Sequence, residues 1–282
     1  MDADGNLLTP TGTTNRTFRV TPAGSLSVYA EGLNTPYGGG MDSQFNLYMS
    51  EFGTNTVVLL DSLGGISSPV ASSLNGPVGI LLNQAEDTLL VASFSGNSIL
   101  KVCIADGSVS TFVSGNGING PDAMVYDDDG NIFIANFNDS KIHKVTPDGT
   151  VTEFATLPGS NIGYIHFNSA QQRIYVAGYG SHKIFALTMA GVRYKIAGKF
   201  VPGFVDGDPS VARFNNPNGI ISTAPGDTLH ISDDSNAALR MSHRITIALR
   251  STQDPFPPPV PLAPVHDTPA PLTPTTNIHH SS

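Results

Sequence analysis

GNIFIANFNDSKIHKV, Gly130 to Val145, is the stretch on which the fold turns. Its run Ile132, Phe133, Ile134 is too short for an ordinary helix, has no helical period and is bounded by turn residues, which predicts a strand buried on both faces. The same sixteen-residue frame recurs as GNLLTPTGTTNRTFRV (Gly5 to Val20), FNLYMSEFGTNTVVLL (Phe45 to Leu60), DTLLVASFSGNSILKV (Asp87 to Val102) and QRIYVAGYGSHKIFAL (Gln172 to Leu187). A looser copy is DTLHISDDSNAALRM, Asp227 to Met241. The starts at 5, 45, 87, 130, 172 and 227 are separated by steps of 40, 42, 43, 42 and 55. A period near 40 that encodes strands implies propeller blades, because each unit leaves two apolar sheet faces bare until its neighbours stack on them.

Each frame is preceded by a short glycine-containing segment: TPYGGGMD (Thr35 to Asp42), GPVGILLN (Gly76 to Asn83), GPDAMVYD (Gly120 to Asp127), SNIGYIHF (Ser160 to Phe167) and NPNGIIST (Asn216 to Thr223). Within the frame a Gly/Asn/Ser turn leads to a further strand such as Ser98 to Val102. An outer strand such as Thr150 to Phe154 follows a turn like Pro147-Asp148-Gly149. Four strands per unit, innermost first, is blade anatomy. The expected fold is therefore all-β: a six-bladed β-propeller of four-stranded antiparallel blades over residues 1–250. Met1 to Asn6 aligns with Tyr126 to Asn131, so the first blade is expected to lack its innermost strand, with the chain either a fragment or completed there by another segment. Residues 244–250 suit either the sixth blade's outer strand or a closing strand. From Ser251 to Ser282 the chain is Pro/Thr-rich and is expected to be a disordered tail or linker, since it has little to bury.

Composition narrows the function classes. The chain has 14 Lys+Arg against 23 Asp+Glu, a net charge of -9, which argues against nucleic acid or an anionic membrane as a main partner. The single cysteine, Cys103, forms no intramolecular disulfide and no metal cluster, and is read as a strand residue. Neither a membrane span nor a signal peptide is visible in this chain. Low charge, many Gly, Asn, Ser and Thr residues and the Pro/Thr-rich trailing segment point to a secreted or extracytoplasmic protein, expected to act as a monomer.

The segment Ala197 to Ile220, with Asp206-Gly207 and Arg213-Phe214-Asn215-Asn216-Pro217-Asn218-Gly219, resembles the NHL-repeat signature. The frame with Gly130-Asn131-Ile132 and its following Pro-Asp-Gly turn, and Leu47 to Asn55, are similar to virginiamycin B lyase-like propellers. These resemblances cover residues 1–245 and imply a propeller, a scaffold that serves protein binding, RNA binding, lyase and hydrolase functions. The lyase resemblance places an acidic residue at Glu51, but no pair of histidines falls at the spacings of that family's catalytic set. Similarity to the gluconolactonase and senescence-marker group implies a channel metal, calcium, with Asp122 and Asn218 where that group places its ligands. The equivalent positions elsewhere are Tyr37, Val78 and Ile162. Calcium takes about 6 to 8 oxygen ligands, so two candidates make a partial site.

In a propeller, the loops entering the innermost strands and those joining the second and third strands share one face. Position 8 of the frame reads Phe52, Phe94, Phe137 and Tyr179 in four successive blades, and position 7 reads Glu51, Ser93, Asn136 and Gly178. The expectation is an aromatic arc around a channel mouth that carries Tyr37, Asp122 and Asn218, with Glu51 and Asn136 supplying polar groups and the 197–214 loop beside it. The simpler alternative is that each ring packs its turn against the next blade. His230 and His166 take strand positions and are read as core histidines, and Asp206 with Asp208 as organisers of their own loop. The sequence thus points to a binding module for a protein, peptide or carbohydrate, with a metal-dependent lactonase- or esterase-like hydrolase, or a lyase, as the alternative.

Overall fold

The structure, a computed structural model, describes residues 1–159, 161–223, 225–243 and 266–267. Six antiparallel sheets form a six-bladed propeller. Blade one has three strands, β1 (Leu7–Thr11), β2 (Arg16–Val20) and β3 (Leu26–Glu31). Blade two contains β4 (Pro36–Met41), β5 (Leu47–Glu51), β6 (Thr56–Leu60) and β7 (Ile66–Ala71); blade three, β8 (Pro77–Leu82), β9 (Thr88–Ser93), β10 (Ser98–Cys103) and β11 (Val109–Ser114). Blade four contains β12 (Pro121–Tyr126), β13 (Ile132–Asn136), β14 (Lys141–Val145) and β15 (Val151–Thr156); blade five, β16 (Ile165–Asn168), β17 (Arg173–Gly178), β18 (Lys183–Thr188) and β19 (Arg193–Gly198). Blade six contains β20 (Pro217–Ser222), β21 (Thr228–Asp233), β22 (Ala238–His243) and β23 (His266–Asp267), with one 3₁₀ turn, Asp234–Asn236.

The second strands are the most deeply covered. All five residues of β5 and of β13 are buried, as the short apolar runs predict for strands sandwiched between neighbouring blades. Outer strands such as β7 and β11 are mostly exposed. Five apolar clusters fill the successive interfaces from blades one and two to blades five and six, for example Tyr175, Ala177 and Ile184 against Phe214, Ile220 and Leu229. Each fully buried Leu, Ile or Phe contributes about 1.5 to 3 kcal/mol, so blade stacking is the dominant stabilising term.

The strands β4, β8, β12, β16 and β20 stand side by side around the axis. Their glycines explain how closely: a Cβ on Gly79 would lie 2.3 Å from the Asp122 carbonyl oxygen, and one on Gly38 would lie 2.6 Å from that of Val78. Blade one has no such innermost strand among the described residues. The seam between blades six and one holds a cavity of about 200 Å³ lined by Leu7, Val20, His230, Leu239 and Met241. His230 is therefore half-buried at this seam instead of lying deep in the core. Segment 244–250 lies outside the described residues. The fourth-strand position of blade six is taken by His266–Asp267, which pair with Met241 and Arg240; the rest of the Pro/Thr-rich tail lies outside the described residues.

Candidate functional site

The turn between the second and third strands of each blade is built by one recurring conformation. Position 11 of the frame has positive φ in all six blades: Asn15 (56°), Asn55 (57°), Asn97 (48°), Ser140 (60°), His182 (56°) and Ala237 (49°). Asparagine tolerates this left-handed region better than most residues. Its side chain then reaches the next blade: Asn15 Oδ1 accepts from Thr35 N–H at 2.9 Å, Asn55 from Gly76 at 2.6 Å and Asn97 from Gly120 at 2.7 Å. His182 Nδ1 repeats the latch with Asn216 N–H at 3.0 Å. The residue after each latched N–H is the proline that opens the next innermost strand, Pro36, Pro77, Pro121 or Pro217, so the latch fixes the turns and the channel entrance to one another.

The same turns carry position 8, which around the ring reads Gly12, Phe52, Phe94, Phe137, Tyr179 and Asp234. All four aromatic side chains are half-buried. Ring centroids of Phe94 and Phe137 lie 5.9 Å apart, and those of Phe137 and Tyr179 lie 5.4 Å apart. Tyr37, 41% exposed at the start of β4, packs on Phe52 at 5.6 Å. The arc expected from the sequence is therefore continuous from blade three to blade five, with a second pair on blade two.

Inside this arc the channel mouth is rich in acceptors. Asp122 is 6% exposed, and neither a hydrogen bond nor a cation reaches its carboxyl among the described residues. Burial pushes its pKa up to about 7. The Tyr164 hydroxyl and Asn218 Oδ1 are buried without a hydrogen-bond partner among the described residues. Tyr164 lies in the loop entering β16, its N–H donates to the Asn218 carbonyl at 2.8 Å, and its hydroxyl approaches the Cα of Gly38 so closely that a Cβ there would clash. Burial, then Asp122, then Tyr37 hold the Tyr164 phenol well above its ordinary value. Burial, then Asp122 and Asp234, push that of Tyr37 up; burial, then Asp234 and Tyr37, do so for Tyr179. These phenols stay neutral donors at physiological pH; the Tyr164 hydroxyl lies against Gly38, the neighbour of Tyr37, and β4, β8 and β12, of which β4 carries Tyr37 and β12 carries Asp122, stand side by side.

Position 7 has a different job. Glu51 is buried and accepts from Asn34 N–H (2.9 Å), Thr54 Oγ1 (3.0 Å) and Thr56 Oγ1 (2.8 Å). Asn136 is fully buried and donates to the Gly117 carbonyl at 2.7 Å. Ser93 donates to Leu74 and Asn75, and Asp233 accepts from Asn215 N–H at 2.6 Å. These side chains fasten the incoming loop behind the arc, so Glu51 and Asn136 do not face the mouth as the sequence led us to expect. Gly178 has no side chain for the task; Ser181 Oγ, which would contact a Cβ placed there, occupies the space.

Three features of this face were missed in the sequence. Asp234 replaces the aromatic at position 8, a signal visible once the frames are aligned. Tyr164 sits one residue after the glycine of its leading segment, where Ile80 and Ile220 gave no hint of a mouth residue. The third is a buried ion network: Arg240, fully buried, pairs with Asp233 at 2.9 Å and with Asp206, and donates to the carbonyls of Arg213 (3.2 Å) and Val205 (3.0 Å). Asp206 therefore anchors the 197–214 loop to blade six, a correction to its reading as an organiser of its own loop. Asp208 does that, accepting from Ser210 N–H at 2.8 Å. His166 is half-buried, with Nε2 at 3.0 Å from Ser222 Oγ, and burial pushes its pKa down to about 4.

The channel groups do not fit a calcium ion held by the protein. Asp122 and Asn218 offer one carboxylate and one amide oxygen, against about 6 to 8 oxygens. No cluster of three His, Cys, Asp or Glu suited to a metal occurs among the described residues.

The fold and the mouth define a six-bladed propeller with an aromatic, acidic channel entrance. Residues 39–180 match the SMP-30/Gluconolactonase/LRE-like region, and the chain belongs to that family. A comparison with curated proteins finds no match. Among solved structures, the nidogen/laminin complex is similar at a TM-score of 0.70 and 16% identity, over 85% of this chain and 89% of that one. Catalytically inactive virginiamycin B lyase from Staphylococcus aureus with quinupristin gives 0.62 and 19%, over 82% and 74%. An auxiliary nutrient binding protein from Bacteroides thetaiotaomicron gives 0.64 and 14%, over 74% and 55%. At these identities the likeness is one of fold.

Proposed function

We propose that the protein is a binding module, acting outside the cytoplasm, that recognises a protein, peptide or carbohydrate on the channel-mouth face. The observation that carries this reading is the arc of half-buried rings. Half-burial alone does not mark a platform, since Phe112 and Phe154 are half-buried while packing on core clusters; what sets Phe52, Phe94, Phe137, Tyr179 and Tyr37 apart is that they sit on neighbouring turns and the start of β4 and pack on one another with part of their surface in solvent. Rigid aromatic surface of this kind offers much contact area at low entropic cost. The NHL-type resemblance of Ala197 to Ile220 and the nutrient-binding neighbour support binding; the lyase neighbour shows that the same architecture also hosts chemistry. Probing glycan and peptide arrays with the protein and with its Phe52→Ala/Phe137→Ala variant tests the reading. Ligands bound by the first and lost by the second are expected; retention of all binding by the folded variant contradicts it.

The alternative, a metal-dependent lactonase, esterase-like hydrolase or lyase, draws on family membership and on Asp122 and Asn218 in the channel. Calcium titration by calorimetry is expected to give no tight site. A tight site lost in Asp122→Ala would reverse the order of the two readings.

A further inference from the structure

We propose that the channel mouth takes an organic cation: an ammonium or guanidinium group on an apolar body, its charge set between Asp122 and Asp234 and its body against Tyr37, Phe52 and Tyr179. This rests on the mouth being the binding site and names the chemistry of its ligand. Other buried acids of the ring are satisfied. Glu51 has three donors, Asp233 has Arg240, and Asp127 accepts from the Asn131 N–H and amide. Asp122 breaks that pattern, since it is buried as deeply yet has no donor and no cation among the described residues, and Asp234, exposed at the rim, has no ion pair among them. Beyond burial, Asp122 and Asp234 both push the Tyr37 phenol up, and the Tyr37 ring packs on Phe52 at 5.6 Å. The basic side chains of the adjoining blade-five turn are engaged elsewhere: His182 Nδ1 accepts from Asn216, and the Lys183 ammonium sits 3.1 Å from the centroid of the Phe200 ring.

A second, independent observation points the same way. The Tyr164 hydroxyl and Asn218 Oδ1 are buried at the same mouth without hydrogen-bond partners among the described residues. The phenols and the Asn218 amide can each donate or accept, so the two carboxylates, which only accept when ionised, set the complement: a ligand with a charged donor, an ammonium or a guanidinium. Aromatic faces attract such a charge through their quadrupole, and a chain with a net charge of -9 favours its approach. A sugar hydroxyl or a neutral amide would leave the buried Asp122 carboxylate without a counter-charge.

The test uses the full chain labelled with fluorotyrosine, with Tyr37, Tyr164 and Tyr179 resonances assigned by Tyr→Phe variants. It is titrated with phenethylamine, phenethyl alcohol and hydrocinnamate, which carry the same ring and differ in charge. The amine is expected to move the three resonances and to bind about tenfold more tightly than the alcohol, with the carboxylate weakest. In Asp122→Asn/Asp234→Asn, whose folding is checked by its melting curve, amine and alcohol should bind alike, with alcohol affinity unchanged. Equal affinities in the unsubstituted protein, or a preference that survives in the double variant, overturn the proposal. Failure to move the mouth resonances with any probe overturns it too. If the alcohol moves Tyr37 as well as the amine does, the charge preference fails while the aromatic mouth stands, so the two readings fail separately. Acetyl-Phe-Lys-Phe-amide and its acetyllysine counterpart form a second arm: competition by the first alone assigns the cation to a peptide side chain, and competition by neither assigns it to a free amine.

Discussion

A buried carboxyl without partners destabilises a fold only while it is charged, and Asp122 is such a group. The unfolded chain releases this proton near the ordinary 3.8 and the folded ring near about 7. Between those values the folded state holds more protons than the unfolded one, so stability falls as pH rises through the window and levels off above it. The loss amounts to about 4 kcal/mol at full ionisation. Asp122→Asn keeps the shape and removes the charge, so denaturant unfolding should show the variant gaining on the unsubstituted protein from about pH 4 to about pH 8. Parallel profiles would contradict a raised pKa at Asp122. Composition and spacing marked Asp122 and Tyr37 as mouth residues because both follow the proline that opens an innermost strand. Nothing in the sequence says that Asp122 lacks a partner, which depends on what four other blades present to it.

At the scale of the turn, the latch at position 11 joins blade one to two, two to three, three to four and five to six. Truncating Asn55 or Asn97 to Ala leaves a loop N–H without its acceptor and puts a Cβ residue without a compensating bond in the left-handed region, which should cost about 1 to 3 kcal/mol each by thermal unfolding. Ala237 already sits there at φ 49° with no side-chain acceptor to offer, and Ala237→Gly should stabilise by about 1 kcal/mol. A neutral outcome at both sites would mean that the loops relax and the latch is incidental. The buried network makes a sharper statement. Asp233→Ala removes one of the two carboxylates paired with the fully buried Arg240 guanidinium and should destabilise by about 3 kcal/mol, with the 197–214 loop the first segment to exchange its amide hydrogens. Strand identity was legible because short apolar runs between turns need only local sequence. The roles of Glu51 and Asn136 were not, because their partners Asn34 and Gly117 lie in the preceding loop, 17 and 19 residues back. Aligned position alone cannot distinguish a side chain that faces a ligand from one that holds a loop.

Across the whole molecule, five interfaces are sealed by apolar clusters and the sixth, between blades six and one, contains a cavity. The repeat disclosed the number of blades and the three-stranded first blade, since both follow from counting frames. It did not disclose which residues serve as the outer strand of blade six. That place goes to His266–Asp267, a two-residue pairing inside a proline-rich stretch with no strand pattern. Truncation after residue 250 removes just this pairing from the described structure, and should lower the melting temperature by less than about 4 °C; a larger drop would show that the tail closes the ring. Ligand recognition at the mouth requires that its rings do more than pack blade to blade. The most direct test measures melting and array binding together for the protein and for Phe52→Ala/Phe137→Ala. Half-buried rings of a ligand platform predict abolished binding with each substitution costing well under about 3 kcal/mol of stability, whereas a loss of about 3 kcal/mol or more per ring with binding intact, the signature of core aromatics, would contradict it.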